Sequence, residues 1–317
     1  MTQTFGFSST AEEVARDIDL SGRTIVVTGV SAGLGIETAR VLAAHGAKVV
    51  CVARDAGKTE KAVAGLREAD PKGEFEIALL DLSDLDSVRR GADDIARRFP
   101  KIHVLVNNAG VMACPLGRTK EGLDLQLGTN HLGHFVLTAR LLPNLLAAAP
   151  ARVVNLTSGG HRMSNFRFDD PLFEEEPYDK WVAYGQAKTA NVLFSVALDE
   201  RYASRGLRAY AVHPGAIHTE LGRHLSQDDF KIMMGKRPQA EPMQFKRVPQ
   251  GAATSVWAAT APELADRGGV YCEDCGVAEF IRDPGAAVGV MPYALDREAA
   301  RKLVTLSERW SGEKLPA

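Results

Sequence analysis

Short apolar runs alternate along the chain with longer segments in which apolar residues recur every three or four positions. Runs rich in β-branched residues and poor in charge read as buried strands, and the 3.6-residue period reads as amphipathic helix. The runs predict strands at about 24–28, 48–53, 75–80, 102–106, 151–156, 207–213 and 269–272. The periodic segments predict helices over roughly 34–45, 57–68, 84–98, 119–147, 179–203, 249–260 and 296–309. Strand and helix in strict alternation imply an α/β class chain, a doubly wound parallel sheet with helices on both faces. Internal repeats and low-complexity linkers are missing, so one domain over 1–317 is expected. Ser9 and Glu12 have the spacing of a capping box opening a short helix before the first strand. Two stretches interrupt the alternation. Segment 159–178 is rich in His, Arg, Phe and acids; segment 220–247 mixes Leu221, Phe230, Met233, Met234, Met243 and Phe245 with Lys and Arg. Both follow carboxyl ends of strands, where ligands bind in such sheets, so both are expected to border a substrate site, the second as a mobile flap.

The turn after the first strand reads TGVSAGLG, Thr28 to Gly35, and the helical segment IETARVLAAHG follows it. Strand, glycine turn and helix together form a Rossmann-like context for binding a dinucleotide. Gly29 lets the chain leave the strand tightly, Gly33 removes a side chain where backbone must approach a pyrophosphate, and Gly35 lets the helix pack close to the sheet. The free N–H groups and positive dipole end of the helix then face the anion. The spacing departs from G-x-G-x-x-G and lacks the Gly-Lys-Ser/Thr of a Walker loop. A glycine-rich surface turn is the bland alternative, and the flanking strand and helix argue against it.

The second strand, KVVCVARD, ends where such folds select their cofactor. An acidic residue there would grip the ribose 2′-hydroxyl of NAD; this chain has Ala53 followed by Arg54. A small neutral residue beside a guanidinium suits the 2′-phosphate of NADP, although Arg54 also reads as a solvated charge. Asp55 either reaches the ribose or caps the next helix.

Tyr184 and Lys188, in YGQAK, lie four residues apart on an expected helix and so share a face. A phenol titrates near ~10, and a neighbouring cation favours the phenolate, bringing the group nearer to acid–base work. Alone, the pair also reads as a packed ring beside a snorkelling lysine. Ser158 waits upstream, at the end of the fifth strand.

Taken together these residues resemble the short-chain dehydrogenase/reductase family. The glycine turn, NNAG at Asn107–Gly110, Asn130 in GTNHLGHF, Ser158 in VVNLTS, Tyr184 with Lys188, and Pro214–Gly215 in AVHPGAIHTE occur in that family's order across about residues 20–310. NHLGHF, the long segment between Ser158 and Tyr184, and the tail GVYCEDCGVAE are similar to the branch of retinol-dehydrogenase-like and protochlorophyllide-reductase-like proteins. The resemblance implies that Tyr184 exchanges a proton with the substrate oxygen. Lys188 would lower the phenol's pKa and bond the ribose, Ser158 would hydrogen-bond the substrate oxygen, and Asn130 would hold a relay water. It further implies cofactor contacts from Ser31, Leu34, Asp81 (at the adenine, or as a helix cap), Leu82, Asn108, Ala109, Gly110, Pro214, Gly215, Ile217 and Thr219. The implied activity is interconversion of a secondary alcohol and a ketone, or an aldehyde, on a bulky apolar substrate, with NADP in preference to NAD. A nucleotide-sugar epimerase or dehydratase is the rival enzyme class; its members carry a different glycine spacing and a larger C-terminal domain. A non-catalytic cofactor sensor is the other rival, and retention of Asn130, Ser158, Tyr184 and Lys188 argues against it.

Composition narrows the partners. The 317 residues are 45% hydrophobic and 25% charged, with net charge −2, so nothing calls for nucleic acid. Four cysteines, Cys51, Cys114, Cys272 and Cys275, are too few for a disulfide framework and point to a reducing cytoplasm. Cys272 and Cys275 have redox or metal spacing without a second pair, and His131 and His134 have no acidic companion, so no metal is expected. His161 and His213 fall near the expected site, with structural roles favoured. The N-terminus lacks a signal-like apolar core, and no run of eighteen apolar residues provides a membrane anchor. The family often pairs subunits through the helices at 119–147 and 179–203, which leaves a homodimer open unless the inserts and long tail block it.

Overall fold

Each apolar run forms a strand within about two residues of its expected place. The computed structural model describes residues 4–223, 225–229 and 244–317. Its strands are β1 (Thr24–Thr28), β2 (Lys48–Ala53), β3 (Glu74–Leu79), β4 (Val104–Asn107), β5 (Ala151–Leu156) and β6 (Leu207–His213). Two-residue strands β7 (Ala216–Ile217) and β8 (Phe245–Lys246) pair with each other, and β9 (Val270–Glu273) and β10 (Gly276–Val277) follow. The main sheet has eight strands in the order β10-β9-β6-β5-β4-β1-β2-β3, with only β10 antiparallel. The order reverses between β1 and β4, and that reversal opens a crevice beyond their carboxyl ends.

Alternate strand residues feed two apolar layers, as the period of two requires. Val26, Val50, Leu105 and Val153 point to one face, covered by α4 (Leu85–Arg98), α6 (Gly133–Leu146), α7 (Lys180–Tyr202) and α9 (Arg297–Ser311). Ile25, Val27, Val49 and Val154 point to the other, covered by α1 (Ala11–Ala15), α2 (Leu34–Ala44), α3 (Ala56–Ala69) and α8 (Val248–Thr260). Burial on both faces is why these strands carry continuous apolar runs.

Several expectations are corrected. The helix expected from 119 begins only at α5 (Leu125–Leu127), continues as a π-helical turn, Gly128–Leu132, and becomes α6. Residues 119–122 instead close a turn, with Gly122 N–H donating to the Thr119 carbonyl, and Asp124 caps α5 through Leu127 N. The N-terminal capping box is Thr10 with Glu13, not Ser9 with Glu12: each side chain accepts from the other's backbone N–H. Burial of Ala11, Val14 and Ala15 sets that phase, and Ser9 accepts from Gly6 N instead. Only the start of the first insert borders the crevice. Further along, Phe166 and Phe168 pack on the core and Arg167 lies 4.6 Å over the Phe173 ring. In the second insert Leu221 and Phe245 are described, whereas Phe230, Met233, Met234 and Met243 lie outside the described residues, as does most of the expected flap.

Cys272 lies on β9 and Cys275 in the two-residue loop of the β9–β10 hairpin, where Asp274 and Cys275 both have positive φ (49° and 56°). The spacing serves a tight turn of the primed type. Both thiols are buried, and Cys275 Sγ lies against Thr254. His131 Nε2 meets Ser307 Oγ at 2.8 Å and His134 Nε2 meets Thr28 Oγ1 at 2.9 Å. Burial pushes these imidazoles down to about 3 and about 4, so both are neutral cross-braces. Among the described residues, no helix is long and apolar enough to cross a membrane.

Candidate active site

Beyond the β1/β4 reversal lies a cavity of about 1800 Å³. Its floor at one end is the glycine turn. Gly29 has φ +78°, and a Cβ there would stand 2.8 Å from Asn108 Nδ2. Gly35 does not line the cavity: a Cβ would come 2.3 Å from the Gly29 carbonyl oxygen, so its missing side chain serves the helix–strand contact expected of it. Gly33 (φ +61°) is the N-cap of α2, and Thr219 faces it, 3.3 Å from where a Cβ would be. Ser31 and Leu34 complete this rim. Asn108 ties the turn to β4 by donating from Nδ2 to the Thr28 carbonyl, while Thr28 Oγ1 accepts from Asn108 N and Ala109 N.

Arg54 follows the buried Ala53 and lines the same end, exposed to solvent. The Asp55 carboxylate accepts from Lys58 N at 2.9 Å and caps α3, which decides between its two readings in favour of the cap. Lys58, absent from the sequence expectations, brings a second cation to this end. Asp81 and Leu82 line the cavity after β3, but Asp81 is no helix cap. Its carboxylate accepts from Ser83 N and Ser83 Oγ, and Asp84 caps α4.

At the other end, α7 carries Tyr184 and Lys188 into the cavity, held at its start by Asp179, whose side chain accepts from Trp181 N and Val182 N. Lys188 Nζ sits 5.8 Å from the Tyr184 ring centroid and donates to the Leu156 carbonyl at 3.1 Å. Ser158 leaves β5 and accepts from Gly160 N at 3.0 Å, so its own hydroxyl proton is available to donate, and the Tyr184 phenol is the group it bonds in the protein alone. Gly160 is needed there: a Cβ would lie 2.6 Å from Tyr184 Cε1. Gly110 passes close to the same group, a Cβ on it falling 3.6 Å from Lys188 Nζ.

The electrostatics differ from expectation. Burial pushes Tyr184 up to about 12, with the Ser158 hydroxyl pulling it down, and burial pushes Lys188 down to about 8. For the phenol, loss of water around the ring outweighs the bond from the Ser158 hydroxyl. Asn130 stands beside Lys188 at Gly110, its Oδ1 2.7 Å from where a Cβ on that glycine would fall. Both ends of its amide are taken by Val111, Oδ1 accepting from Val111 N (2.8 Å) and Nδ2 donating to Val111 O (2.9 Å). Its side chain pins the loop after β4 and does not line the cavity, a task suited to the widened π turn that carries it. His213 Nδ1 accepts from Gly159 N at 3.2 Å and Gly215 N at 3.4 Å, joining the Ser158 loop to Pro214–Gly215. His161 is buried against Tyr271 and bonded to the Ser158 carbonyl. Ile217, in β7, packs where a Cβ on Gly251 would fall.

Comparison with known proteins agrees with this geometry. Residues 23–170 match the family model described as short chain dehydrogenase. The short-chain dehydrogenase/reductase prx1 of Penicillium roqueforti is 40% identical over 307 residues, covering 94% of this chain and 88% of that protein. The chain belongs to the short-chain dehydrogenase/reductase family. Human retinol dehydrogenase 12 is 40% identical over 259 residues, 82% of this chain and 80% of its own. A crystal structure of an uncharacterized protein from Mycobacterium paratuberculosis superposes with a TM-score of 0.74 at 34% identity, covering 96% of this chain and 98% of that one. As a short-chain dehydrogenase/reductase, the chain is an oxidoreductase of small molecules that uses a nicotinamide dinucleotide.

Two walls of this family member's cavity went unread in the sequence. One is the loop 111–117, where Met112 and Leu116 stand; the other is 283–286. Neither has a motif: 111–117 is held by the amides of Asn130 and Gln126, and 283–286 by a side chain more than a hundred positions away, Arg162. Met112, Ala113, Met163, Trp181 and Leu225 form an apolar cluster around Tyr184. A helical period would have flagged Trp181, one turn before Tyr184 on α7, but not its loop-borne partners.

Proposed function

We propose that this short-chain dehydrogenase/reductase interconverts a secondary alcohol and a ketone, or an aldehyde, with NADP(H), on a bulky apolar substrate. One observation carries the reading: a phenol, a serine hydroxyl bonded to it and a buried ammonium converge on one end of a cavity whose other end is a glycine turn flanked by cations. The residues fit a dinucleotide. Gly29, Gly33 and Gly110 hold backbone where side chains would collide with neighbours or fill the crevice, and the start of α2 faces an anion. Arg54 and Lys58 beside a neutral Ala53 favour a 2′-phosphate.

When bound, the dinucleotide supplies or accepts the hydride. The chain's own groups handle position and proton. Ser158 donates its hydroxyl proton as a hydrogen bond to the substrate oxygen, already fixed by Gly160 N. Tyr184, neutral at physiological pH because burial holds it up at about 12, gives its proton to that oxygen in reduction and must lose it for oxidation. Lys188, held by Leu156, places a positive charge beneath the phenolate so formed. Asn130 acts one step back, fixing the Val111 loop. The apolar cluster of Met112, Ala113, Met163, Trp181 and Leu225 supports the apolar substrate class. Pairing through α6 and α7 is disfavoured, because α9 and the tail lie over them: His131 meets Ser307, Arg140 pairs with Glu313 and Arg201 bonds the Leu315 carbonyl. The test is a panel of ketones, aldehydes and alcohols followed by nicotinamide absorbance. Turnover with NADPH well above NADH on the bulkier apolar members is expected; activity with NADH alone, or none on carbonyls, would overturn the reading.

A further inference from the structure

Resting on that reading, we propose that Arg162 is a specificity-determining positioning residue: it fixes the segment 283–289 as one wall of the substrate pocket. Arg162 follows Ser158 in the short 3₁₀ turn Gly159–Met163, and its guanidinium is almost wholly buried, its side chain 6% exposed. Nε and Nη2 donate to the Gly289 carbonyl at 3.1 and 2.9 Å, and Nη1 donates to the Ala286 and Ala287 carbonyls at 2.8 and 3.2 Å. Glu273 completes the knot, with one oxygen 3.5 Å from Nη2 and the other accepting from Gly289 N. Gly289 has φ +108°, and a Cβ on it would lie 2.3 Å from Ile281 Cγ2, so the wall's return to the sheet admits no other residue without movement.

Arg162 itself borders the cavity together with Asp283, Pro284, Gly285 and Ala286. The wall it holds has no strand or helix of its own beyond the single bridge between Phe280 and Val290. A planar fork with five N–H donors reaches three carbonyls at once, which a lysine ammonium on a flexible stem cannot reproduce. The turn carrying Ser158 is therefore coupled to the wall by one side chain. A substrate whose oxygen sits at Ser158 and Tyr184 presents its far end to 283–286, so the wall sorts substrates by reach and not by chemistry at the carbonyl.

The test uses Arg162→Lys in the full chain, with two carbonyl substrates of one series, one short and one long. The long-to-short ratio of kcat/KM should fall by about tenfold, through KM of the long member, while the dissociation constant for NADPH, read by its fluorescence, moves less than about twofold. Limited proteolysis should cut 283–288 faster in the variant. An unchanged ratio, or a loss shared equally by both substrates and the cofactor, would overturn the proposal. Gly289→Ala perturbs the wall from its other end, with the Arg162 side chain unchanged, and must give the same signature, so it carries the test if Arg162→Lys does not fold. Failure of the function reading is distinguishable, since it would show as no carbonyl turnover in the wild-type protein.

Discussion

Replacing Lys188 with methionine should make the protein more stable and less active. The ammonium is buried, and burial lowers it from its ordinary 10.5 to about 8. At 1.36 kcal/mol per pH unit, keeping the charge inside costs about 3 kcal/mol at neutral pH. The variant loses the bond from Nζ to the Leu156 carbonyl, a loss of about 1 kcal/mol. That oxygen is not orphaned, because Asn191 Nδ2 still donates to it at 2.9 Å. Lys188→Met should then gain about 2 kcal/mol at pH 7. The sign with pH follows from proton counts. Between about 8 and 10.5 the unfolded chain holds a proton that folded wild type has released, so wild-type stability rises through that window. The variant's advantage is full below about 8 and shrinks towards 10.5. Tyr184 runs the other way, but only above its ordinary 10, because its folded value is raised to about 12. Urea unfolding followed by circular dichroism at neutral pH and again between 9 and 10 reads both points. A variant less stable than wild type at pH 7, or an advantage that does not shrink with pH, would refute the reasoning.

Other outcomes follow from the same geometry. Arg54→Ala should weaken NADP binding by roughly 1.5–3 kcal/mol while leaving NAD nearly unchanged, measured by titration calorimetry; equal losses would remove the phosphate role. Asp55→Ala should cost about 1 kcal/mol of stability as a lost N-cap, seen in urea unfolding, without changing the NADP-to-NAD ratio. With the phenol held up at about 12, kcat/KM for alcohol oxidation should climb about tenfold per pH unit through neutrality. Carbonyl reduction, which uses the neutral phenol, should stay flat between about pH 6 and pH 8, and a flat oxidation profile would place the proton elsewhere.

Most of the sheet was legible because its strands are buried on both faces. TIVVT and KVVCVA leave no helical period to compete, and β1 and β2 begin and end where those runs do. The glycine turn was equally plain, since Gly29, Gly33 and Gly35 sit between an apolar strand and a periodic helix. Local chemistry was harder to place. Thr10 and Ser9 offer the same hydroxyl one residue apart, and the choice fell to burial of Val14 against α8, a tertiary fact. The helix around Asn130 begins later than 119 because the helical period of its apolar residues starts only at 123, after the Thr119–Gly122 turn. The acid–base balance could not be read from spacing. Tyr184 and Lys188 do share a helix face, yet desolvation by Ala113, Trp181 and the Gly160 turn raises the phenol further than the Ser158 hydroxyl lowers it. The wall at 283–286 left no local signal, because what places it is contact with Arg162, more than a hundred positions away, and the wall at 111–117 is placed by the amides of Asn130 and Gln126, whose bonds to a loop no spacing announces.

Tyr184→Phe puts the central claim to its most direct test. Removing one hydroxyl from a buried ring should leave NADPH binding within about twofold, yet cut carbonyl turnover by ~10²–10⁴, the range a positioned proton donor contributes. A variant that binds the cofactor and turns over at the wild-type rate would contradict the account.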